Sequence, residues 1–119
     1  MNKRPLIVTI ISLLFLIVGL GSIGKSVWFV IGANHGVSRQ KELLDGAIVC
    51  VSGLIALVSG IFMWRGANWA RWLCIVWLAL HVIIGALHST SEMIAHTVLL
   101  LVIGTLLLLP GVSRYFVST

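Results

Sequence analysis

The sequence predicts an all-helical integral membrane domain: four transmembrane helices in an up-down bundle, with both termini on the cytoplasmic side. Three observations lead there. The 119 residues are 60% hydrophobic and only 9% charged, with a mean hydropathy of +1.15. A soluble domain this small leaves too much surface in water to hide that much apolar material. Four apolar stretches approach the roughly 20 residues a helix needs to cross the hydrocarbon layer. The Lys and Arg residues flank those stretches, the pattern that insertion into a bilayer selects. One domain over residues 1–119 is expected, with no soluble lobe.

The first span is expected at about Leu6 to Gly24, with Pro5 where a helix tolerates proline, at its first turn. The basic head "MNKRP" and the apolar run after it have the look of a secretory signal. The run is long for one, and "GLGSIGKS" is a poor cleavage site, so an uncleaved first helix is preferred. The same "GLGSIGKS" lacks the spacing of a phosphate-binding loop and follows no strand. The stretch "KSVWFVIG" either prolongs the first helix or returns along the interface, and "ANHGVSRQKE" is the first loop. The second span is expected at about Leu44 to Trp64 and the third at about Trp69 to Leu87. The fourth runs from about Met93 to Leu109 and is ended by Pro110 and Gly111. Between the third and fourth, "HSTSE" is a tight connection in which Ser89 and Glu92 fit a capping box. Short connections make consecutive helices antiparallel neighbours.

Orientation follows from the cations. With the N-terminus inside, Lys3, Arg4, Arg65, Arg71 and Arg114 share the cytoplasmic side. Lys25, Arg39 and Lys41 lie opposite, offset by Glu42 and Asp45. Trp64, Trp69, Trp72, Tyr115 and Phe116 then fall at headgroup depth. The segment "FMWRGANWARWL" becomes a cytoplasmic turn, with Gly66 ending one helix and Asn68 starting the next. Trp64, Arg65, Trp69, Arg71 and Trp72 are its interface anchors. A net charge of +5 would suit nucleic acid, but the eight cations are dispersed over ends and loops with no basic face, so a nucleic-acid partner is excluded. The lipid bilayer is the expected partner of the positive charge.

Gly46, Gly53 and Gly60 recur every seven residues in the second span, with Ser52 and Ala56 adding small residues between. Small residues on one stripe let another backbone approach. Packing within this chain is preferred; a contact with another subunit or a second copy is the alternative. The second and fourth spans each end in a Gly followed by an Arg flanked by aromatics. That short echo would suit two helix pairs related by a parallel repeat.

Cys50 and Cys74 lie inside apolar runs without a CxxC pairing and are expected to act as small buried hydrophobes. Cys74, His81 and His88 stand seven apart on one face of the third span. His81 lies about 10 Å along the helix from His88, deep in the bilayer, where an ionisable group is a candidate functional site. Together with His88 or His96 it could ligate haem iron or a chlorophyll magnesium, or relay a proton. The preferred reading is a neutral His81 bonded to a carbonyl or a serine across the bundle, with no cofactor. His88, Glu92 and His96 are spaced four and four and could hold a divalent metal on a continuous helix, with His35, Glu42 or Asp45 joining from the same side. The intervening "STS" argues for a break and for solvated loop residues. No catalytic set emerges. No acidic residue sits in mid-span, so a drug/proton antiporter of the small multidrug type is disfavoured. A quinone-linked thiol oxidoreductase would need the absent CxxC.

"RGANWARWL", Arg65 to Leu73, and "LLLLPGVSRYF", ending at Phe116, resemble segments of a family of small four-helix bacterial membrane proteins. These carry a G-x-N-W-A-R type loop after the second span and a Pro–Arg–Phe tail after the fourth. The resemblance covers the four-span layout and the two segments. It implies a bacterial inner-membrane location and assigns no activity or catalytic residues; "HSTSEMIAH" lies outside it. The function expected on these grounds is that of a small non-catalytic accessory or scaffold subunit of a membrane complex. The alternatives are a haem- or chlorophyll-binding membrane protein and a small transporter or lipid-handling protein.

Overall fold

The computed structural model describes residues 3–31 and 39–117, and these are all helical apart from short turns. Five helices follow in order: α1 Leu6–Ile31, α2 Arg39–Trp64, α3 Asn68–His88, α4 Thr90–Leu108 and α5 Pro110–Val117. The first four are each long and apolar enough to cross a membrane. They pair as two antiparallel hairpins, α1 with α2 and α3 with α4, and α2 and α3 join the pairs. His35 and the loop around it lie outside the described residues.

Of the two courses open to "KSVWFVIG", the chain takes the first: α1 continues without a break to Ile31, while α2 begins at Arg39, ahead of the expected Leu44. Each therefore has 26 residues, about 39 Å at 1.5 Å per residue. α3 and α4, with 21 and 19 residues, reach only about 28–32 Å, close to a hydrocarbon core of about 30 Å. What the expected boundaries do not include is a helix starting at Pro110. Pro110 does end α4, but it also opens a short further helix, occupying the first position where its missing N–H costs nothing.

The α1/α2 hairpin is built on small residues. The Gly46, Gly53, Gly60 stripe of α2 faces a matching stripe on α1: Ser12, Gly19 and Ser26. A Cβ at Gly60 would stand 2.9 Å from the Ser12 carbonyl, and one at Gly53 2.9 Å from the Gly19 carbonyl; Gly46 lies looser, 3.6 Å from the Ser26 carbonyl. Backbones this close gain dispersion contacts along the helix length, which drives helix association where water is absent. Between α2 and α3 the turn is a Schellman motif. Ala67 N–H donates to the Phe62 carbonyl at 2.9 Å and Gly66 N–H to that of Met63 at 3.0 Å. Gly66 adopts φ 82°, the left-handed conformation glycine tolerates. Asn68 does not cap α3: Ala67 holds the cap position, with no side-chain bond. At the next turn Ser89 caps α4, its Oγ accepting from Glu92 N–H at 3.2 Å.

The core threads all five helices through Val8, Phe15, Met63, Cys74, Trp77, Leu78, Leu107 and Phe116. Both cysteines are free, Cys74 buried and Cys50 half-buried. No more than a third of the apolar window of any span is buried within the chain.

Candidate functional site

The polar interior is organised around Ser52 on α2. Trp77 Nε1–H donates to the Ser52 carbonyl at 3.0 Å and lies 3.2 Å from its Oγ. His81, one turn further along α3, places Nδ1 2.8 Å from the Trp77 carbonyl and Nε2 3.3 Å from Ser52 Oγ. A carbonyl only accepts, so Nδ1 carries the proton. In the neutral ring Nε2 is then the acceptor, and the Ser52 hydroxyl donates to it. The Trp77 and His81 rings stack with centroids 3.9 Å apart, and Phe15 meets Trp77 edge-on at 5.3 Å. Both nitrogens of His81 are thus engaged by the protein, which gives the imidazole a fixed tautomer and orientation.

His96 on α4 lies against the far side of this network, its ring 5.6 Å from that of His81. Its Nδ1 is 2.8 Å from the Glu92 carbonyl, and His88 Nδ1 is 2.9 Å from that of Ile84. All three rings therefore donate to the carbonyl one turn back. The break at Ser89 takes His88 off the face shared by Glu92 and His96. His88 and Glu92 are exposed at the tip of the hairpin, whereas His96 is half-buried. Among the described residues, no three His, Cys, Asp or Glu side chains converge into a metal cage.

Trp77 separates two apolar cavities. One, of about 350 Å³, lies between α2 and α3 and reaches Ser52 and His81. The other, of about 220 Å³, lies between α1, α3 and α4, with His96 on its wall beside Phe15, Trp77 and Leu99. Each presents one or two polar groups to an apolar volume, the usual character of a small-molecule site.

At the other end of α3, the interface anchors divide. Trp69 and Trp72 are half-exposed, at 51% and 47%, and Arg65 is exposed. Arg71 is turned inward and is only 4% exposed. Its Nη1 donates to Ser113 Oγ at 2.7 Å and reaches the Leu107 carbonyl at 3.4 Å. It therefore binds the C-terminal end of α4 and the first turn of α5, where carbonyls without helical partners favour a cation. Trp64 is half-buried, and its carbonyl accepts from Tyr115 Oη at 2.7 Å and from Arg4 at 3.5 Å. The Arg4 guanidinium stacks over the Trp64 ring at 3.6 Å. The pairing of His81 with a carbonyl and a serine across the bundle is as the sequence suggests; the identity of that serine as Ser52, the bracing by Ser113 and Tyr115, and α5 itself are not read from the sequence. Comparison with family models, with curated proteins and with solved structures found no match.

Proposed function

We propose that this chain is a multi-pass protein of a bacterial inner membrane, and that it acts as a non-catalytic accessory or scaffold subunit of a larger membrane complex. The observation that carries this reading is the length mismatch between the hairpins. Measured from the end where Arg4 meets Trp64, α1 and α2 overshoot α3 and α4 by about 8–11 Å. The overshooting tip exposes Trp28 (71%), Ile31 (79%) and Leu44 (60%). Apolar surface clustered beyond the hydrocarbon layer is the kind of patch a protein partner covers. A groove of about 380 Å³ between Val27, Val30, Leu43 and Ala47 adds concavity to the same tip. The inward use of His81, Trp77 and Arg71 for bracing fits a structural role.

Purification in mild detergent with mass spectrometry tests this. Larger membrane proteins are expected to co-purify, and Trp28→Glu is expected to release them without reducing the amount of chain in the membrane. A chain recovered alone, with normal membrane function after its deletion, would overturn the reading.

A second reading, a small cofactor- or lipid-handling protein, is favoured by His96 at the wall of the inner cavity. An absorption band from a tetrapyrrole in gently purified protein, lost in His96→Ala, would establish the cofactor form of it. Flux in liposomes that is unchanged by His96→Ala would count against the transport form.

A further inference from the structure

The carboxylates of the described chain are gathered at one end of the hairpins, where Lys25, Arg39 and Lys41 also lie. The three carboxylic side chains, Glu42, Asp45 and Glu92, all lie at the end of the hairpins where α2 and α4 begin. The opposite end carries Lys3, Arg4, Arg65, Arg71 and Arg114 with no described carboxylic side chain among them. Two of these cations are committed to the fold: Arg71 is buried on Ser113 and Leu107, and Arg4 is held by Trp64 and Thr9. Lys3 and Arg114 are exposed, and they meet across one cleft.

That cleft, of about 240 Å³, is lined by Lys3, Gly111, Arg114 and Tyr115. Lys3 comes from the segment before α1, the other three from α5. At Gly111 a Cβ would meet nothing within 4 Å, so the wall of the cleft is open there. Two exposed cations from opposite ends of the chain line this one cleft, and its lining includes no anionic side chain. Their mutual repulsion falls when an anion sits between them.

We propose that this cleft binds the phosphodiester headgroup of an anionic membrane lipid. A phosphate-bearing anion is the shared chemistry. The lipid source is favoured because the cleft lies at the end of the long apolar helices, and Leu108 and Leu109, which immediately precede α5, expose apolar side chains along which an acyl chain can lie. Basic pockets at the membrane surface of helical proteins recognise headgroups in this way. The proposal rests on the chain being embedded in a bilayer and is independent of any partner subunit.

The test is titration of the full-length protein in nonionic detergent with phosphatidylglycerol and with phosphatidylcholine, read by native mass spectrometry. The wild type is expected to retain the anionic lipid at least tenfold more strongly. Lys3→Gln with Arg114→Gln is expected to lower that preference about tenfold while leaving phosphatidylcholine uptake unchanged, which also reports that the variant is folded. Arg39→Gln with Lys41→Gln, at the opposite end, is expected to leave it intact. The proposal is overturned if the cleft variant keeps the wild-type preference, or if the opposite-end variant loses as much. Displacement of the lipid by inorganic phosphate at equal concentration would overturn the lipid assignment in favour of a soluble anion. A chain that stays monodisperse in water without detergent would instead fail the membrane reading itself.

Discussion

Among the described residues, Arg71 is the one charged side chain that is buried, and its partners are a carbonyl and a hydroxyl rather than a carboxylate. Such an arrangement costs desolvation, and hydrogen bonds to the charged group offset it. The Trp72 and Phe116 rings, 5.2 and 5.3 Å from the guanidinium carbon, add cation–π attraction. Replacing Arg71 by Met keeps the length and removes the donors, so α4 loses its C-terminal brace and α5 its tether. The expected loss is about 1.5–3 kcal/mol, measured as a lower unfolding midpoint in detergent, with faster tryptic cleavage at Arg114 as α5 comes loose. Ser113→Ala should cost less, and the double variant should cost less than the sum, because the two share one bond. Additive losses would show that Arg71 acts elsewhere. The inward turn of Arg71 was not legible in the sequence. An arginine among tryptophans at a span end has the composition of a surface anchor, and only the presence of α5 supplies a reason to bury it. Ser52 was nearer to being legible. It and His81 are 29 residues apart and straddle the Gly66–Ala67 turn symmetrically, so a tight hairpin places them at one depth.

Among the elements, the α1/α2 hairpin has the least room to adjust. An added methyl at Gly19 would lie 2.8 Å from both the Gly53 carbonyl and the Leu57 nitrogen, and one at Gly53 would lie 2.8 Å from Ser22 Cβ. At Gly19 the obstacles are backbone atoms, which cannot rotate away, so the helices must part along the seam. Gly19→Ala is therefore expected to destabilise by about 1–3 kcal/mol, the usual cost of overpacking. Gly21, two residues on, faces open space. There Ala should be neutral or should stabilise by up to about 1 kcal/mol through helix propensity. Thermal unfolding of the two variants in one detergent compares them directly; equal midpoints would mean that the seam is not closed as described. The α2 stripe is evident in the sequence because three glycines repeat at seven. Its counterpart is harder to see, because Ser12, Gly19 and Ser26 mix residue types and Gly21 and Gly24 break the pattern with glycines that face outward. The extra length of α1 is legible only as one of two courses for "KSVWFVIG", because Lys25 and Ser26 interrupt the apolar run without interrupting the helix; Ser26 Oγ donates to the Ile23 carbonyl one turn back at 2.7 Å. Pro110 likewise carries both a stop and a start signal, and composition alone does not rank them.

For the whole molecule, four long apolar helices of alternating direction put the start of α1 and α5 at one end of the bundle; under the proposed membrane reading, the cations decide which side that end faces. Lys3, Arg4, Arg65 and Arg114 are exposed at the end shared by the termini, whereas at the other end Lys25, Arg39 and Lys41 stand near Glu42 and Asp45. Arg71, though buried in the final fold, is still counted during insertion, when the chain is read before it packs. The bias of five cations against three predicts cytoplasmic termini. In a Cys50→Ser background, with Cys74 shielded in the core, a cysteine at exposed Gln40 should react in intact cells with a membrane-impermeant maleimide. One at exposed Arg65 should react only after the cells are broken. A C-terminal green fluorescent protein fusion should fluoresce, and an alkaline phosphatase fusion at the same place should be inactive. Neutralising Lys3, Arg4 and Arg65 together would leave two cations against three and should produce a mixed or inverted population, visible as Gln40→Cys becoming partly protected. Labelling of Arg65→Cys in intact wild-type cells would invert the orientation and place the Lys3–Arg114 cleft on the outer leaflet.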